Sequence, residues 1–418
     1  MKHGVRTIAM ALVLIASAAP APVVAAPGTR TVEQNRAQSL HISQRIVDWP
    51  QLGFDSGHSG FNPYEHRIGI QNVGSLQQLW TFTLDNWPGD IVEESGVLYV
   101  PSASGELFAV DASNGNQLWE FDSGVPYGWN TGTNGVAVDS GLVFTVCDLP
   151  HGAQGLCALQ ASNGTVQWSY TLGGSSSSAG APPVVANGIV YFEACASAGC
   201  DYVALNESTG AVLWMVSELC SGNLGIPPAV YRGVLYVNIG CDVQNVTDIV
   251  ALSAQSGSQI WKAQVIGATT GLTVAGGVVA YVRWNGTESY IGALTAIHGQ
   301  PLWGPSAINS KLITSMPAIA YKQIYAWIFI NDYGYIADYD ERMGTLNWQY
   351  TIARSFPSVA NHVVYIAMNG GPLALNAGTG QVLWHISGTD NLGLPIIVNG
   401  VVYGGCNGSH VCAYALPG

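Results

Sequence analysis

Residues able to do chemistry are scarce in this chain. Only 9% of its 418 residues are charged, and Lys and Arg together number 13. Two loop cations, Lys311 and Arg354, therefore stand out. A guanidinium or ammonium so placed can hold a carboxylate or phosphate, although a solvated loop charge is the plainer reading of each. Glu193 and Asp201 could share a cation through carboxylate oxygens. Trp87 and Trp129 could stack against a sugar or a quinone, or simply pack their loops. Asp90, Asn130, Asn134, Asn223, Asp390 and Asn391 complete the polar candidates. The nine His show no metal-ligand spacing, and no G-x-S-x-G, Walker or H-E-x-x-H motif is present.

These candidates gain a common location from the elements around them. Gly-x-x-x-Trp returns seven times, ending at Trp119, Trp168, Trp214, Trp261, Trp303, Trp348 and Trp384. An eighth Trp, Trp80, has the same apolar strand without the Gly. A spacing of about 40–50 residues, with room for four strands per unit, predicts an all-β, eight-bladed β-propeller. Each unit repeats one grammar. An apolar strand ends in Asn-Gly or Ser-Gly, a second follows at once, a variable loop leads to a third ending in Ala-Leu, and a Gly turn leads to the Trp strand. One Trp per unit at a fixed place reads as a docking residue between blades, burying roughly 150–250 Å² of indole. The last unit ends at Ala-Tyr-Ala-Leu with no Trp strand, while the Trp80 strand has no hairpin before it. The two deficits fit together, so the Trp80 strand is expected to complete the last blade and close the ring. In a propeller, the loops between units share a face with the variable loops within units. The polar candidates fall there, and function is expected on that face.

The domain reading has three parts. Residues 1–25 resemble a signal peptide, with Lys2 and Arg6 before an apolar run too short to span a membrane. Residues 26–71, rich in Gly, Pro, Asn and His, read as an irregular segment packed on the ring. Residues 72–418 form the propeller. Loss of the signal removes two cations and no acid, making the formal net charge of −13 more negative. That argues against nucleic acid and anionic membrane surfaces as partners. A secreted or periplasmic, soluble, monomeric protein is expected. Eight Cys in such a chain predict disulfides. Aligning the units places Cys147 with Cys157, Cys195 with Cys200, and Cys406 with Cys412 across variable loops. Cys220 is then left for Cys241.

The pattern Ala-Leu-(Asp/Asn)-x-x-(Thr/Asn)-Gly-x-x-x-Trp resembles the tryptophan-docking repeat of the PQQ-type propellers, over roughly residues 48–418. That superfamily includes quinoprotein alcohol dehydrogenases and the BamB outer-membrane assembly factor. Under the dehydrogenase alternative the resemblance implies PQQ with Ca²⁺. Asn134 and Gly135 match that group's Asn-Arg-Gly strand without its Arg, and Pro183 stands where its Gly-Ala-Pro-Arg-Val strand has Arg. The adjacent Cys pair is replaced by a run containing Trp129 and Asn130. The Ca²⁺-binding Glu position falls near Ser197, four residues from Glu193. Under the assembly-scaffold alternative a lipidation Cys is expected, and none follows the apolar run. The reading is therefore a propeller that binds a small molecule, glycan or protein on its loop face, without a cofactor or redox chemistry of its own.

Overall fold

The computed structural model describes residues 47–418, apart from 127–134, 151–152, 173–177, 180, 197–198, 218–225, 242–245, 285–288, 309–315, 331–332, 353–355, 369–370 and 387–393. The described residues form eight antiparallel sheets that follow one another along the chain. In the first blade the strands run, innermost to outermost, Val92–Glu94, Val97–Pro101, Glu106–Asp111 and Gln117–Asp122. Blades 2 to 7 repeat this order, each innermost strand lying beside the next blade's. The eighth blade joins Ile396–Val398, Val401–Cys406 and His410–Ala415 to Gln77–Thr83 from the other end of the chain. Trp80 is paired with Ala413. The ring therefore closes by strand pairing, as the two terminal deficits predict, with the N-terminal strand as the outermost strand of the last blade.

Every innermost strand turns into the second through two residues with positive φ, the twist a tight hairpin needs. Asn187-Gly188 and Asn399-Gly400 use residues suited to it. Blades 6 and 7 instead place Tyr321-Lys322 and Asn361-His362 there. These two turns carry no Asn-Gly signature, and the ladders on either side hold them in register.

Because sheets face sheets, the core is a series of layers between blades. Phe144 and Leu156 of blade 2 pack on Val190 and Phe192 of blade 3. Tyr191 and Tyr202 of blade 3 pack on Val237 and Val250 of blade 4. The Trp residues fasten the rim of each layer. Trp80, Trp119, Trp168, Trp214, Trp261, Trp303 and Trp348 each donate an indole N–H to a carbonyl of the following blade, at 2.8 to 3.1 Å. Trp384 meets the last blade differently, edge-on to Tyr414. Four of those carbonyls also receive a buried tyrosine hydroxyl. Tyr191 and Trp214 converge on Ala254, and Tyr236 and Trp261 on Ala296. Tyr325 and Trp348 converge on Ala377, and Tyr403 and Trp80 on Ala112. One carbonyl has two lone pairs, and these blades use both.

The repeated Gly acquires its reason here. The indole of one blade lies flat against the turn Gly of the next. A Cβ on Gly210 would come within 2.6 Å of Trp168, and one on Gly164 within 2.7 Å of Trp119. Gly and Trp of a single Gly-x-x-x-Trp therefore do not touch each other. They are halves of two successive inter-blade contacts.

Candidate functional site

The centre of the ring is not an open channel. The innermost strand of each blade has a second edge with unpaired N–H and C=O groups, which need partners. Residues 49–62 supply them, blade by blade in chain order. Trp49 exchanges two backbone hydrogen bonds with Glu93 of blade 1, and Pro50 accepts one from Val138 of blade 2. The Gln51 side chain bonds both the N–H and the C=O of Val185 in blade 3. The carbonyls of Ser56, Gly57, Ser59 and Gly60 accept the N–H groups of Val230, Val274, Ile319 and Val359, from blades 4 to 7. Asn62 completes the circuit by donating its side-chain amide to Ile397 of blade 8, at 2.7 Å. Phe61–Asn62 also adds a short parallel strand to blade 7. The segment is thus a collar inside the ring.

Its composition follows from that path. A Cβ on Gly57 would collide with the Val274 carbonyl, and one on Gly60 would approach Ala318 to 2.7 Å. The Asp55 carboxylate accepts the N–H groups of Gly57 and Ser59 and the Ser59 hydroxyl. Burial raises the Asp55 pKa, against the pull of those donors. His58 is 1% exposed, and both ring nitrogens face carbonyls, Leu52 at 2.7 Å and Pro228 at 3.0 Å. Burial lowers its pKa, while the two carbonyls and the Asp55 carboxylate oppose the shift.

Above the collar, on the face of the inter-blade loops, a pocket opens with about 340 Å³ of space including its mouth. Leu52, Gly53, His58 and Gly60 of the collar form its floor. Asp90, Met316, Pro317, Phe356, Pro357 and Leu394 form its walls, where chains enter the innermost strands. Asp90 is the one carboxylate among the described lining residues, and it is partly buried. Loss of water around it raises its pKa, and a hydrogen bond from the Leu394 N–H works against that rise.

Of the ten binding candidates two are described, and of these Asp90 lies in this pocket. Trp129, Asn130, Asn134, Asn223, Lys311, Arg354, Asp390 and Asn391 lie outside the described residues, as does Cys220 with the side chain of Cys241. Glu193 is elsewhere. It has no accessible surface, sits in the second strand of blade 3, and finds no hydrogen-bond partner for either carboxylate oxygen. Burial pushes its pKa up to about 8. Asp201 pairs opposite Ala194 rather than Glu193, so the two carboxylates point to opposite faces of the sheet and do not share a cation. Trp87 is 41% exposed at the loop face. Cys147–Cys157, Cys195–Cys200 and Cys406–Cys412 are disulfides bracing variable loops. The collar residues Asp55 and His58 were not candidates in the sequence. Their signal is the Asp-Ser-Gly-His-Ser-Gly run, whose small residues allow close backbone approach.

The described residues of the pocket do not by themselves make up a site for PQQ with Ca²⁺. Calcium takes about 6–8 oxygen ligands, and Asp90 is the only side-chain carboxylate among the described lining. The quinone's carboxylates call for cations, and the described lining has no Lys or Arg. Both His58 nitrogens are already engaged.

Comparison with known proteins places this geometry. The family profile described as outer membrane protein assembly factor BamB matches residues 103–219 and 201–354. The profile described as the β-propeller domain of glucose/ethanol/alcohol dehydrogenase matches residues 49–142. The assembly factor BamB of Yersinia pestis is 27% identical over 294 residues, covering 62% of this chain and 70% of that one. A tetrathionate hydrolase of Acidithiobacillus ferrooxidans is 24% identical over 196 residues, 43% of this chain and 37% of that one. The crystal structure of quinohemoprotein alcohol dehydrogenase from Comamonas testosteroni superposes with a TM-score of 0.69 at 15% identity. It covers 92% of this chain and 84% of that one, a likeness of fold.

Proposed function

The chain belongs to the PQQ-type β-propeller repeat family, and from that premise we propose that it is an exported binding protein whose ligand is a small molecule held in the channel mouth. It carries out no quinone chemistry of its own. The observation that carries this reading is the collar. It bonds to the inner edges of all eight blades and floors a pocket whose described lining holds one carboxylate. The apolar walls and single polar group suit a binding site of modest size. Export is supported by the signal-like first 25 residues and by disulfides across the loops. No described helix is long and apolar enough to cross a membrane.

A second reading, a protein-binding scaffold, is favoured by the match of residues 103–354 to the assembly-factor profile. It would use the braced loops rather than the pocket. Titration with PQQ and CaCl₂, followed by dye-linked oxidation of alcohols and sugars, tests the main reading. No saturable quinone binding and no turnover are expected. Submicromolar quinone binding with turnover would replace it with a dehydrogenase.

A further inference from the structure

The buried acid of blade 3 has neighbours that give it chemistry. We propose that Cys195–Cys200 is a redox-active disulfide that takes two electrons from a dithiol, with Glu193 as its proton donor. This activity lies outside the channel mouth and does not depend on what binds there.

Strand pairing builds the group. Ile189–Ala196 pairs with Gly199–Asn206, so that Cys195 lies opposite Cys200 and Glu193 opposite Tyr202. Residues two apart on a strand share a face. Glu193, Cys195 and Cys200 therefore lie on the side of the sheet that packs on blade 4, the side of Tyr191 and Tyr202. A Glu193 carboxylate oxygen and the two sulfurs are all within 4.8 Å of one another. The two tyrosine hydroxyls on this face are committed elsewhere, Tyr202 donating to the Asn238 carbonyl and Tyr191 to that of Ala254. Neither oxygen of Glu193 has a hydrogen bond, and the residue has no accessible surface. An acid so placed is costly as an anion and keeps its proton. Its pKa, pushed up to about 8 by burial, accords with that.

The pair also offers one sulfur to an incoming thiol. Cys195 is half-buried, whereas Cys200 and the four cysteines of the other two described disulfides are buried. Exchange begins with attack of a thiolate on the sulfur it can reach. A thiolate of the dithiol attacks Cys195 Sγ, the Cys195–Cys200 bond breaks, and its electron pair leaves on Cys200 Sγ. A thiolate released at the buried position is poorly solvated, and the Glu193 proton passes to it once the sulfurs separate. The second thiol of the reductant gives its proton to the Glu193 carboxylate and attacks the mixed disulfide. The reductant departs as a disulfide, and Cys195 is released as a thiolate on the more open side. Two electrons have moved to the pair, and Glu193 is again an acid.

Reduction of the full, oxidised chain at neutral pH tests the proposal, with limiting dithiothreitol in one arm and a reduced Cys-Gly-Gly-Cys peptide in the other. Trapping with iodoacetamide and peptide mass mapping give the rate at each disulfide. Cys195–Cys200 should open about tenfold or more faster than Cys147–Cys157 and Cys406–Cys412. The faster of the two reductants tells whether a small dithiol or a peptide cysteine pair is the better donor. Glu193→Gln should slow the opening of Cys195–Cys200 by about tenfold or more, with Cys406–Cys412 in the same molecule unchanged. Glu193→Asp should restore part of the rate. A variant that unfolds would open all three pairs alike, and the wild-type order then decides. Equal or slower opening of Cys195–Cys200 in the wild type overturns the redox role. An unchanged rate in folded Glu193→Gln, or a loss that Glu193→Asp does not restore, overturns the proton donor.

Discussion

At the scale of single residues, the informative side chains are the buried polar ones. Glu193, Glu93 and Asp338 all lose their water inside the sheets, and burial pushes them up to about 8, 8 and 7. Their folded values lie above the ordinary carboxylate range, so the native state holds more protons than the unfolded chain between the two values. The stability contributed is fully present below the unfolded value and is lost as pH rises through the folded one. For Glu193 the window runs from the ordinary 4.5 to about 8. Glu193→Gln keeps the shape and removes the titration. Denaturant unfolding from pH 5 to 8 should show wild type losing ground to E193Q at up to about 1.4 kcal/mol per pH unit. A constant difference across that range would show that Glu193 is not held neutral. In the sequence Glu193 reads as a possible cation ligand with Asp201. Its surroundings were not legible, because the face on which a strand residue lies depends on register. Here register turns Glu193 away from Asp201.

At the scale of elements, the contact between a Trp and the next blade's Gly is the repeating joint of the ring. Gly210 has φ +70° and has the Trp168 indole at 2.6 Å from its absent Cβ. Gly141 has φ +77° and nothing within 4 Å of that position. Gly210→Ala should cost about 2–4 kcal/mol, combining backbone strain with overpacking, and Gly141→Ala about 1–2 kcal/mol from strain alone. Equal costs in chemical denaturation would remove the indole contact from the account. The blades were legible because this joint recurs with a fixed spacing, and ring closure followed from what the two ends lacked. The Tyr321-Lys322 and Asn361-His362 turns were less legible, since neither uses Gly where φ is positive. The three disulfides at Cys147, Cys195 and Cys406 followed from the same alignment, since partners on opposite arms of a hairpin are brought together by strand pairing.

At the scale of the whole molecule, function depends on how the ring's centre is filled. The sequence marked residues 26–71 as irregular and packed on the ring, but not that residues 49–62 circle its inside. That path has no periodic signal, because the segment meets eight different strands through one or two bonds each and pairs as a strand only at Phe61–Asn62. With the collar in place the pocket has a floor, and Asp90 stands among largely apolar described walls. Residues 49–62 therefore seal the inner edges and form the pocket's floor. Residue-resolved hydrogen exchange on the full chain tests it most directly. The N–H groups of Val138, Val230, Val274, Ile319 and Val359 each end on a collar carbonyl. All five should exchange as slowly as amides in the middle of the sheets. Rapid exchange at these five, with the rest of the sheets protected, would mean an open channel and would contradict it.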